Sequence, residues 1–79
     1  MHTKVISLGE VYYEGEAALL SAKTELGEVT VLNHHRPFIT VLVPGSIRVK
    51  DVVGVEKNFV VRGGFLHMDG NNRLTVLVD

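Results

Sequence analysis

The chain has 79 residues, enough for one small domain and no second. Eight Lys and Arg against nine Asp and Glu leave a net charge of −1, so there is no basic stripe to attract nucleic acid, and with no cysteine there is neither a disulfide framework nor a thiol nucleophile. Hydrophobic residues make up 46% of the chain at a mean hydropathy of +0.22, more apolar surface than so short a chain hides by itself.

In chain order, Lys4–Leu8 and Glu10–Tyr13 are short β-rich runs separated by Gly9. Residues 16–26 are mainly good helix formers between Gly15 and Gly27. Propensity alone puts a helix with Leu19, Ala22 and Leu26 on one side slightly ahead of a strand with Ala18, Leu20 and Ala22 inward. Glu28–Leu32 alternates strictly, with Val29 and Val31 on one face and Glu28 and Thr30 on the other. Phe38–Val43 leads into the turn pair Pro44-Gly45, and Ser46–Lys50 alternates again, so residues 38–50 read as a hairpin. Asn58–Arg62 is a strand ended by Gly63-Gly64, Phe65–Met68 is another, and Asp69–Asn72 turns the chain into Arg73–Val78. This punctuation predicts an all-β fold over residues 1–79, a small antiparallel β-sandwich or flattened barrel.

Chemistry is harder to find. Neighbours on an extended chain point to opposite faces, so His34 and His35 do not ligate one metal from a strand, and His2 and His67 stand at no zinc-like spacing. Arg62-Gly63-Gly64 precedes a strand and offers no helix amides to a phosphate, and Glu14 and Glu16 around Gly15 read as a solvated turn. From the residues alone there is no catalytic, cofactor-binding or metal site. No apolar run is long enough to span a bilayer and Met1–Glu10 lacks the apolar core of a signal peptide, so the sequence reads as a soluble, cytosol-side protein. The profile is that of a β-module in an assembly; the alternative is a stand-alone β-barrel that binds a small molecule or a metal.

The order of short motifs carries more. Val5-Ile6-Ser7 opens the chain. Gly27-Glu28-Val29, His35-Arg36-Pro37-Phe38-Ile39-Thr40, Pro44-Gly45, Arg48 and Gly63-Gly64 follow, and Thr75–Asp79 closes it. In this order they resemble the N-terminal β-sandwich of the epsilon subunits of rotary F-type ATP synthases, across essentially the whole chain. Thr30 stands where the family usually has Gly, Asn33-His34 where it has Pro-Gly, and Leu19 where it tends to be polar. The family's C-terminal helical hairpin follows the motif at Asp79, so the inhibitory and ATP-sensing roles of that hairpin are not carried over.

The resemblance implies a strand over residues 16–23 and a turn at Thr24–Gly27, against the local helix preference. It implies a non-catalytic rotor subunit without a cofactor, coupling ion flow to ATP synthesis. Its partners would be the gamma subunit, through Ser7, His35 and Thr40, and the c-ring, through the turn at Glu28. The subunit would be monomeric within its complex, peripheral on the cytoplasmic side of a bacterial inner or plasma membrane. Apolar residues on both sides of Phe38–Val43, together with Leu19, are expected to form a patch rimmed by Ser7, His35 and Thr40.

Overall fold

A computed structural model describes residues 1–79. It contains eight strands and no helix: β1 (His2–Ser7), β2 (Glu10–Thr24), β3 (Gly27–Leu32), β4 (Phe38–Leu42), β5 (Gly45–Asp51), β6 (Glu56–Val61), β7 (Gly64–Met68) and β8 (Arg73–Val78). Two layers share β2. Its first half pairs with β1 from Glu10↔Ser7 to Glu16↔His2, and β8, β7 and β4 extend that layer. Its second half runs between β3 (Leu19↔Leu32 to Thr24↔Gly27) and β5 (Ala17↔Asp51 to Ser21↔Arg48), and β6 adds the outer strand. The β2–β5 register shifts between Ala17 and Leu19, where β2 passes from one layer to the other, as an irregularity that bends a strand should.

Period-2 alternation then fills the space between the layers. Val5, Leu42, Leu66, Met68, Leu74, Val76 and Val78 point inward from the first layer. Leu20, Ala22, Val31, Ile47, Val49 and Val61 meet them from the second. Tyr13 and Phe59 pack on the edge of this core, and Tyr12 lies 5.9 Å from Phe59 between ring centroids, spanning the gap between the start of β2 and β6.

The all-β sandwich expected from the sequence is present, with three local differences. Residues 16–24 are strand, as the resemblance implies and local helix propensity does not; β2 runs unbroken for 15 residues, so Glu14–Glu16 is strand paired with β1 and not the solvated turn expected, and only Glu25 and Leu26 form the turn. Pairing on two sides of β2 supplies hydrogen bonds and burial that outweigh a propensity difference of about 0.7 kcal/mol per residue or less. Residues 38–50 do not form a hairpin: β4 pairs with β7, and β5 with β2 and β6. Pro44 and Gly45 instead turn the corner between layers, where Lys23 crosses so close that a Cβ on Gly45 would lie 2.8 Å from its Cδ. The sheet is also not wholly antiparallel, because β1 and β8 run parallel from His2↔Arg73 to Ile6↔Leu77.

Candidate functional site

The two outer faces of the sandwich differ. On the first layer, outward residues of neighbouring strands fall into register as one apolar row. Val41 on β4 is opposite Phe65 on β7, and Phe65 is opposite Leu77 on β8. Leu77 is opposite Ile6 on β1, and Ile6 is opposite Val11 on β2. Val41, Phe65, Leu77 and Val11 keep 45%, 56%, 50% and 59% of their surface exposed, so the row is open to solvent and not part of the core. The adjacent row on the same face is Ile39, His67, Thr75, Lys4 and Glu14, mixed in polarity, with the Lys4 ammonium 3.9 Å from Glu14. Five apolar side chains aligned across five strands can bury against a partner; they offer no nucleophile, acid or base.

The sequence builds this face by placing apolar residues on both phases of its strands. In Phe65-Leu66-His67-Met68, Leu66 and Met68 are buried, which turns Phe65 outward. In β8, Leu74, Val76 and Val78 are buried, which turns Leu77 outward. A strand with apolar residues on both phases is the signal that finds such a face. Reading the sequence applied it only to Phe38–Val43 and so missed Ile6, Val11, Phe65 and Leu77.

The residues singled out earlier scatter around the molecule. Ser7 ends β1, opposite Glu10, beside the strand end that carries Ile6. His35 lies in the β3–β4 loop at the other end of the layer, its ring centroid 4.7 Å from that of Phe38 and its Nδ1 2.8 Å from the Arg36 carbonyl oxygen. Thr40 is paired with the buried Leu66, on the opposite phase of β4 from Ile39 and Val41. Ser7, His35 and Thr40 therefore do not form one rim. Leu19 lies on the other layer's outer face, opposite Leu32, and takes no part in the apolar row. His34 sits in a left-handed turn (φ 62°) with its N–H donating to Asn72 Oδ1 at 2.7 Å, so the two histidines serve different loop contacts. Glu28 stands beside the β2–β3 turn and shares a cleft with Thr40.

A second concavity of about 570 Å³ lies at the His2 end of the first layer. His2 brackets itself between two carboxylates, with Nε2 3.6 Å from Glu14 and Nδ1 3.8 Å from Glu16, and Lys4 and Arg73 complete the charges. Because the two ring nitrogens face different carboxylates, the three side chains do not converge on one point, and no group of three or more His, Asp or Glu side chains is placed to hold a metal ion. Two groups titrate away from their ordinary values. Burial, then the charges of Asp51 and Glu16, push the Tyr13 hydroxyl up. The Asn71 backbone N–H, followed by that of Arg73, holds the Asp69 carboxyl down.

Fold and face together define a class: a small all-β sandwich module whose first layer carries an exposed apolar row on its outer face. Residues 1–79 match the family model described as ATP synthase, delta/epsilon chain, β-sandwich domain, and the chain belongs to that family. It is 34% identical over 79 residues to the ATP synthase epsilon chain of Alkalilimnicola ehrlichii, and 37% to that of Nitrosococcus oceani. Each alignment covers all of this chain and 56% of the relative, so the chain spans little more than half the length of those proteins. Among solved structures, a chain of the Euglena gracilis mitochondrial ATP synthase (OSCP/F1/c-ring) superposes with a TM-score of 0.92 at 23% identity, covering 99% of this chain and 49% of that one. A chain of the Tetrahymena thermophila mitochondrial ATP synthase (central stalk/c-ring) gives 0.84 at 20% identity, covering 99% and 62%. At these identities the structures speak to the fold alone.

Proposed function

We propose that this chain is the docking module of a non-catalytic rotor subunit of an F-type ATP synthase, joining the gamma subunit to the c-ring so that ion-driven rotation reaches the catalytic sites without slipping. The apolar row Val41–Phe65–Leu77–Ile6–Val11 carries the reading, because a domain of this size leaves such a stripe in water only where a partner covers it. Gamma covers that face. The Glu28 turn meets polar loops of the c-ring, and Ser7, His35 and Thr40 contribute at the margins of the gamma contact. Transmitting torque asks for stiffness, which two layers sharing the continuous strand β2 provide. The module has no active site of its own and works as a peripheral subunit on the cytoplasmic side of the membrane. Calorimetry with purified gamma tests this: a one-to-one complex with a negative heat-capacity change is expected, as apolar burial requires. Absence of a complex overturns the proposal.

A further inference from the structure

The corner where β2 passes between the layers is fastened by Met1. The Ala17 N–H donates to the Met1 carbonyl at 2.9 Å, and the Met1 α-ammonium donates to the Ala17 carbonyl at 3.0 Å. The Met1 side chain is buried in the core. Two further oxygens surround the same nitrogen. It donates to Asn33 Oδ1 from the β3–β4 loop, and Glu16 Oε2 lies 3.5 Å away. Asn33 Oδ1 also accepts from Asn72 Nδ2 at 3.2 Å, and Asn72 Oδ1 accepts from the His34 N–H at 2.7 Å. One amine therefore ties β2 to the loops that precede β4 and β8.

A count of donors decides what this site accepts. An ammonium carries three N–H groups, and here it meets three oxygens, one of them from a carboxylate that balances its charge. An acylated amine keeps one N–H, loses the charge and brings a carbonyl oxygen of its own. Two of the three oxygens would lose their donor, and the acyl group would need room at a residue that is only 2% exposed. We infer that the domain closes only on a free α-amine at Met1, and that a formyl or acetyl group on it keeps the β3–β4 and β7–β8 loops from fastening to β2. A formyl group then has to leave before the chain folds: water adds to its carbonyl carbon, the C–N bond breaks, formate departs and the amine takes up a proton. Asn33 and His34 stand where the epsilon family usually has Pro-Gly, and a proline side chain offers no acceptor, so the fastening is particular to this sequence.

Synthetic chains with the amine free, formylated or acetylated, each with Asn33 and with Asn33→Ala, decide it by thermal melting and amide exchange. With Asn33 present, the acylated chains should melt about 8 °C or more below the free one. Their His34 amide, held through Asn72, should exchange about tenfold or more faster. Acylation should lower the melt by less in the Asn33→Ala background, where one of the contacts it removes is already gone. If the acylated chains do not fold at all, the free-amine Asn33→Ala chain still decides: it should melt at least about 4 °C below the unmodified chain, although Asn33 is itself an exposed loop residue. Acylated chains that melt within about 2 °C of the free one overturn the inference. So does an equal loss on acylation in both backgrounds, or a free-amine Asn33→Ala chain that melts like the unmodified one.

Discussion

The outer faces of the two layers obey the same alternation and carry opposite chemistry. Across the second layer the rows read Leu32, Leu19, Lys50 and Glu56, then Thr30, Ser21, Arg48 and Asn58; beyond them lie the separate pairs Glu28–Lys23 and Ser46–Val60. Opposite charges face one another at Lys23 and Glu28 and at Lys50 and Glu56, and the Ser21 and Thr30 hydroxyls lie 3.1 Å apart. The one apolar pair, Leu19 and Leu32, is isolated. The first layer aligns its five apolar residues across five strands instead. Folding needs only the inner phase of each strand, and that phase is apolar in both layers. The difference therefore lies wholly in residues that folding leaves free, which is where a docking surface is written.

The comparison breaks most completely if the strands that carry the row cannot approach. A Cβ on Gly64 would overlap the Leu77 carbonyl oxygen and lie 2.9 Å from Val78 Cα, with backbone and not a flexible side chain in the way. Gly64→Ala should cost at least about 4 kcal/mol, a large part of what a domain this small possesses, and should abolish the cooperative melt. Next in size is the contrast between neighbours on β7. Leu66→Ala removes a fully buried side chain and should cost about 2–5 kcal/mol. Phe65→Ala, one residue earlier on the outer phase, should change the stability of the free chain by no more than about 0.5 kcal/mol. Denaturant titration of the two variants measures the separation of inner from outer phase directly.

Strand positions and turns were legible in the sequence because Gly, Pro and Asn punctuate period-2 runs. Pairing was less so. Pro44-Gly45 marks a reversal in chain direction whether the flanking strands pair with each other or enter different layers, and nothing local to residues 38–50 separates the two outcomes. The parallel β1–β8 pair joins the two ends of the chain and has no local signature at all. Residues 16–26 read as helix because Ala, Leu, Glu and Lys favour it locally; only the order of distant motifs pointed to a strand. The apolar row is assembled from residues 6, 11, 41, 65 and 77, so it exists only once the register is known.

Two smaller effects sharpen the comparison at its margins. Glu28→Lys should weaken assembly with the c-ring by about 0.2–1 kcal/mol, the range of an exposed ion pair, and more at low salt than at high salt. Sedimentation at two ionic strengths checks it, and assembly unchanged at both would make Glu28 an ordinary turn residue. Asp69 lies in the turn before β8, where its Oδ1 accepts from Asn71 N–H at 2.8 Å and Arg73 N–H at 3.0 Å. Its depressed carboxyl contributes stability above the ordinary aspartate value of 3.8, and that contribution is lost as pH falls through its lower folded value. The melting-temperature gap between the unmodified chain and Asp69→Asn should therefore narrow steadily on acidification from about pH 5 to pH 2.

The central claim is that the first layer's outer face binds gamma and the second layer's does not. It is tested most directly by placing one carboxylate on each, Phe65→Asp and Asn58→Asp, and measuring melting temperature and gamma affinity for both. Both variants should melt within about 4 °C of the unmodified chain, because both side chains are exposed. Phe65→Asp should weaken gamma binding by about a hundredfold or more, and Asn58→Asp should leave it unchanged. Unfolding of the free Phe65→Asp chain, or gamma binding that survives Phe65→Asp and is lost with Asn58→Asp, would contradict the account.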